Sequence, residues 1–142
     1  MTRPPEPARG RAPAPAGPSG QAAARALVVE DERLVGDLLA EFLALDGYEV
    51  DRADDGRQAL ELVRRRPYSL IVSDVRMPDV DGPALYDELR RLNPELSRRV
   101  VFVTGDIVNP ATRGFLERLC LRYLEKPFTI TEFRAVVRGL SP

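Results

Sequence analysis

Residues 70–82 read LIVSDVRMPDVDG, and the opening LIVSD decides the fold. Leu70, Ile71 and Val72 run without polar alternation, as a strand does when helices cover both its faces. Asp74 then ends the run, and Pro78 and Gly82 mark a loop. Working outward, the same texture recurs upstream at Ala26–Val29 and Tyr48–Ala53, and downstream at Val100–Thr104 and at Tyr123–Leu124 with its flanks. Helical spacing fills the intervals. Leu34, Leu38, Leu39, Phe42 and Leu45 share one expected buried face, as do Ala59, Leu60 and Val63, and later Leu85, Leu89 and Leu92. Asn109 before Pro110 reads as an N-cap with proline in the first turn. Thr129 and Glu132 have capping-box spacing ahead of Phe133, Val136, Val137 and Leu140. Five strands, each followed by a helix, predict an α/β fold: a doubly wound (βα)5 sandwich around a five-stranded parallel sheet.

Residues 1–24 are a different material. MTRPPEPARGRAPAPAGPSGQAAA is dominated by Pro, Ala and Gly, with no large apolar residue after Met1. Such a stretch cannot bury enough surface to offset the entropy of ordering. It reads as a disordered tail or linker, a spacer rather than a proline-docking motif, leaving 25–142 as the folded domain. Across the 142 residues, 21 basic and 22 acidic side chains nearly cancel. No overall field favours nucleic acid or an anionic membrane, and no apolar run approaches the ~18 residues needed to span a bilayer. The single cysteine, Cys120, excludes an intramolecular disulfide and, lying in an apolar stretch, is expected to be buried packing. Histidine is absent. That removes the usual metal ligands, the Ser-His and Cys-His catalytic arrangements, and any histidine relay within these residues. A cytoplasmic protein without direct nucleic-acid or membrane contact is the expectation.

In a doubly wound sheet the ligand site lies beyond the carboxyl ends of the strands. Glu30, Asp31 and Glu32 follow the first predicted strand, Asp74 the third, Thr104 ends the fourth, and Lys126 closes the fifth. Singly, each has a bland reading: an aspartate caps a helix, acids favour a helix's positive end, a lysine is solvated. Four strand ends carrying such groups to one edge outweigh those readings. Clustered carboxylates repel unless one is protonated or a cation relieves them, and an all-oxygen, water-retaining set favours Mg²⁺. Lys126 and Thr104 add a positive charge and a hydroxyl donor, a set able to hold a doubly negative tetrahedral oxyanion. An ionised aspartate facing that site can act as the nucleophile in phosphoryl transfer.

LVVEDE (27–32), VSDVRMPDVDG (72–82), VVFVTGD (100–106) and YLEKPF (123–128) resemble, in order, the signature segments of two-component response-regulator receiver domains, the CheY-like family with flavodoxin-like topology. The spacings agree as well: 43 residues from Asp31 to Asp74, 30 from Asp74 to Thr104 and 22 from Thr104 to Lys126. The resemblance implies that Asp74 is the phosphoacceptor. It implies that Asp31, Asp74 and the backbone carbonyl of Arg76 ligate Mg²⁺ directly, with Glu30 acting mainly through water. Thr104 would bond one phosphoryl oxygen and Lys126 another. Lys126-Pro127 matches a cis peptide in the family, Pro78 and Gly82 match the loop shaping the site, and Tyr123 matches an aromatic that swings inward on activation. Two departures from the commonest pattern stand out. Glu30 replaces a more frequent Asp, and Arg76 and Asp106 either form a salt bridge over the site mouth, which would slow loss of the phosphoryl group, or stand as two solvated surface charges.

The expected function is a phosphorylation-controlled interaction module, not an enzyme. Its donor would be a histidine kinase or histidine phosphotransfer protein on another chain, and its output a downstream protein target. The sequence runs out just after the last predicted helix. It is therefore expected to be a single-domain regulator or a receiver cut from a larger sensor kinase, since TGD…FLER…LEKPF resembles receivers at the carboxyl end of hybrid histidine kinases. An unphosphorylated pseudo-receiver, a scaffold only, is the alternative. A phosphatase with an aspartyl-phosphate intermediate is disfavoured, because such enzymes carry a second acid two residues after the nucleophile, where Arg76 stands here. Arg113, Arg118, Arg122, Arg134 and Arg138 could make the output face basic and suited to an acidic partner surface, with ordinary solvation of a helical face as the default reading; the oligomeric state stays open.

Overall fold

A computed structural model describes residues 24–77 and 80–140. All but one residue of the 1–24 segment lies outside that range, as does Pro78. The elements alternate as β1 (Arg25–Val29), α1 (Arg33–Leu45), β2 (Glu49–Ala53), α2 (Gly56–Arg65), β3 (Leu70–Asp74), α3 (Gly82–Leu92), α4 (Pro94–Ser97), β4 (Val100–Thr104), α5 (Pro110–Arg118), β5 (Arg122–Glu125) and α6 (Ile130–Arg138). All strand pairs are parallel, in the order β2-β1-β3-β4-β5. The predicted (βα)5 architecture is thus present, with the short helix α4 as an addition.

Alternate residues of the central strands serve opposite layers. Leu27, Val29, Ile71 and Phe102 meet Ala59 and Leu60 of α2, Leu85 and Leu89 of α3, and Phe115 and Leu116 of α5. Ala26, Val28, Val72, Val101 and Val103 meet Leu39 and Leu43 of α1 and Phe133 of α6. Every residue of β3 and β4 is buried, which is why their sequences lack the alternation of a half-exposed strand. The heaviest packing is aromatic: Phe102 and Phe115 meet edge-to-face at 5.2 Å, with Tyr86 alongside both.

The helix starts are set by side-chain caps. Asp55, Asp81, Asn93 and Asn109 each accept a backbone N–H of the first turn. Thr129 and Glu132 form the expected capping box, at 3.1 and 2.8 Å. Gly47, with φ 94°, makes the left-handed turn out of α1.

Three expectations fail on burial. The buried face of α1 runs through Gly36, Leu39 and Leu43, while Leu34, Leu38 and Leu45 face outward, Leu34 at 82% exposure. Leucine is frequent on both sides of this helix, so spacing alone placed Leu39 and Phe42 rightly but joined outward-facing leucines to them. Leu92 likewise ends α3 exposed. Cys120 is exposed, not buried; it sits with φ 52° in the turn between α5 and β5, beside Leu119, which is itself exposed.

Candidate functional site

Strand register brings the polar strand ends together. Val29 pairs with Ser73, Asp74 with Val103 and Thr104 with Glu125. Glu30, Asp74, Thr104 and Lys126 therefore emerge along one edge of the sheet. Carboxylate oxygens of Glu30, Asp31 and Asp74 all lie within 4.8 Å of one another. Glu30 and Asp74 are buried and Asp31 is exposed, so the cluster opens to solvent on one side. The Lys126 ammonium reaches in from β5, 3.3 Å from Asp74 Oδ2, 3.3 Å from Glu30 Oε1 and 3.2 Å from Glu32 Oε1. The Lys126–Pro127 peptide is cis.

Backbone groups complete the pocket. The Arg76 N–H donates to Asp74 Oδ1 at 3.3 Å, and the Glu32 N–H to Glu30 Oε2 at 3.2 Å. Thr104 Oγ1 accepts the Asp106 N–H at 3.0 Å, which leaves its own proton free to be donated. Gly82 opens α3 hard against the strand end: a Cβ there would meet Val75 Cα and O at 2.9 Å. The predicted loop role of Gly82 thus has a steric basis.

The charges are poorly balanced. Burial, then the Asp74 charge, pushes the Glu30 carboxyl up to about 7, despite the opposing Glu32 N–H and Lys126 ammonium. Burial works against the charge on Lys126, but the carboxylates of Asp74 and Glu30 outweigh it and hold the ammonium above its usual range. Glu30 Oε1 is buried without a hydrogen bond; the ammonium 3.3 Å away is a charge contact, not an aligned donor. A buried orphan oxygen among three mutually close carboxylates is what a hard, oxygen-seeking cation would relieve. The donor set fits such an ion.

At the mouth, Arg76 Nη1 lies 2.8 Å from Asp106 Oδ2. The salt bridge read from the sequence is formed, with its two side chains 58% and 41% exposed. Tyr123, on the edge strand β5, is 38% exposed. One feature has no counterpart in the sequence reading: Glu32 turns its carboxylate to Lys126 instead of capping α1. A glutamate opening a helix looks the same in sequence whichever way its side chain turns.

A parallel α/β sheet with an acidic, lysine-tethered pocket at its carboxyl edge is the architecture of a receiver-type signalling module. The chain belongs to the response regulator receiver domain family, whose pattern matches residues 26–138, and receiver domains serve as signalling modules of two-component systems. It is 37% identical over 116 residues to the response regulator MprA of Mycolicibacterium vanbaalenii, covering 82% of this chain and 49% of that protein. The chain spans about half the length of the curated relatives it matches. Among solved structures, it resembles the response regulator TrrA of Thermotoga maritima in complex with Mg²⁺ and BeF (TM-score 0.72, 29% identity, 83% of this chain and 99% of that one). It also resembles the receiver domain of a Pseudomonas aeruginosa sensor histidine kinase with magnesium in its cleft (TM-score 0.73, 27% identity, 84% and 98%). No helix among the described residues is long and apolar enough to cross a membrane.

Proposed function

We propose that this chain is a phosphorylation-controlled switch of a two-component system in which Asp74 accepts a phosphoryl group from a histidine on another chain. The observation that carries the proposal is the placement of Asp74 between two further carboxylates, within 4.8 Å, and the Lys126 ammonium, at 3.3 Å. In the transfer, an Asp74 carboxylate oxygen forms a bond to phosphorus as the phosphorus–nitrogen bond to the donor imidazole breaks, and the bonding pair leaves with that nitrogen. Lys126 offers its ammonium to one phosphoryl oxygen and Thr104 its free hydroxyl proton to another. Asp31, Asp74 and the Arg76 carbonyl, together with Glu30, would hold Mg²⁺, which would supply neutralising charge for the carboxylates and the transferring group.

The readout is a change of surface. A doubly charged acceptor at Asp74 draws the Thr104 hydroxyl inward, and the space it leaves lets Tyr123 turn in from its exposed position. A resting state favoured ~100:1 needs about 5.5 kcal/mol of differential stabilisation to be reversed to the same degree. The downstream partner is a protein that meets the surface around α5, β5 and α6, and the setting is the cytoplasm, where the donor kinase domain acts.

Incubation with a small acyl phosphate and Mg²⁺ tests this reading. A stable one-phosphoryl adduct that Asp74→Asn abolishes is expected. No adduct would establish a scaffold instead, and continuous turnover of the donor would establish a phosphatase.

A further inference from the structure

We infer that Glu32 is a positioning residue that holds Lys126 in the unphosphorylated protein and restrains the approach of the anionic phosphoryl donor. The inference rests on the reading of Asp74 as phosphoacceptor. Its starting point is a cap that is not used. Glu32 occupies the N-cap of α1 with extended backbone, yet its side chain makes no capping bond, whereas Asp55, Asp81, Asn93, Asn109 and Thr129 all cap their helices. An acid there would gain from the helix dipole and from the free N–H groups. Glu32 instead places Oε1 3.2 Å from Lys126 Nζ.

The segment divides its work. The Glu32 backbone N–H steadies Glu30, and its side chain steadies Lys126. Glu32 is also outside the group of three carboxylates that approach one another closely enough to share an ion, so its charge serves a different purpose. An ammonium has three N–H donors, and Lys126 faces three carboxylates at 3.2–3.3 Å. Of these, only Asp74 and Glu32 accept hydrogen bonds from it, and a phosphoryl oxygen competes with the carboxylates for the ammonium. Glu30 and Asp74 are held inside, while the Glu32 side chain is 63% exposed. Glu32 is therefore the arm that lets go. Until then it divides the lysine's charge and sets a negative group at the mouth, facing an incoming anion.

The experiment compares the parent with Glu32→Gln, which keeps the shape and loses the charge, and Glu32→Asp, which keeps the charge. Initial rates of phosphorylation by a small acyl phosphate are followed at fixed Mg²⁺ and increasing ionic strength. Glu32→Gln is expected to label about three- to tenfold faster at low salt, the gain shrinking as salt screens the charge, while Glu32→Asp stays within about twofold of the parent. An unchanged or slower rate in Glu32→Gln overturns the inference. So does a gain indifferent to salt, which would mean a local rearrangement and no electrostatic restraint. If the parent forms no Asp74-dependent adduct, the phosphoacceptor reading itself fails, and this inference falls with it; that outcome is separable because it shows in the parent alone.

Discussion

Replacing Arg76 with alanine opens the mouth of the acidic pocket while keeping the backbone carbonyl proposed to face the metal. The Arg76–Asp106 pair is short, at 2.8 Å, but both side chains are more than a third exposed. A pair in that environment contributes about 0.2–1 kcal/mol, so the closed mouth outnumbers the open one by about 1.4- to 5-fold. If the hydrolytic water enters only the open form, the pair lengthens the phosphoryl lifetime by about two- to sixfold. Arg76→Ala should therefore shorten the half-life by that factor, and Asp106→Ala by about as much. The double variant should add little, because the two residues act through one contact. Raising ionic strength should bring the parent toward the variants. The assay is the decay of the one-phosphoryl species, followed by intact mass after the donor is removed. An unchanged or longer half-life in Arg76→Ala would refute the reasoning.

Three further outcomes concern the scaffold, each measured by chemical denaturation. Phe102→Ala empties a fully buried position packed on Phe115 and Tyr86 and should cost about 3–5 kcal/mol; a loss below about 1 kcal/mol would contradict the packing described. Gly56→Ala drives a Cβ into the Val80 carbonyl oxygen, a backbone atom that cannot swing aside. It should cost about 1–3 kcal/mol and weaken Mg²⁺ binding, because Val80 belongs to the loop that follows Asp74. Thr129→Ala removes one half of the α6 capping box and should cost about 1 kcal/mol, leaving phosphorylation at Asp74 unchanged.

The legible parts of the sequence were those where one physical demand dominates. LIVSD and VVFVT lie under helices on both sides, so burial erased their alternation and made them readable as central strands. With the strands in place, the parallel topology carried Glu30, Asp31, Asp74, Thr104 and Lys126 to one edge without further information. The Thr129–Glu132 box was legible because its bonds are local. What the sequence concealed depended on neighbours distant along the chain. The leucines of α1 lie on both sides of the helix, and only contact with Val28 and Phe133 selects Leu39 and Leu43 over Leu34 and Leu38. Cys120 looked apolar by its neighbours, yet it stands exposed in a turn with left-handed backbone. Glu32 read as a helix-end acid, and its partner Lys126 stands 94 residues away.

The central claim concerns one oxygen-bearing side chain among four crowded acids, so the most direct measurement locates the phosphoryl group. The protein is labelled with a small acyl phosphate and Mg²⁺ and reduced with borohydride, which converts an acyl-phosphorylated aspartate to homoserine. It is then digested and read by mass. Homoserine at position 74, absent without Mg²⁺ and absent in Asp74→Asn, is the result predicted. Homoserine at Asp31, a reduced Glu30 or Glu32, or an adduct that forms equally well without Mg²⁺ would contradict the account.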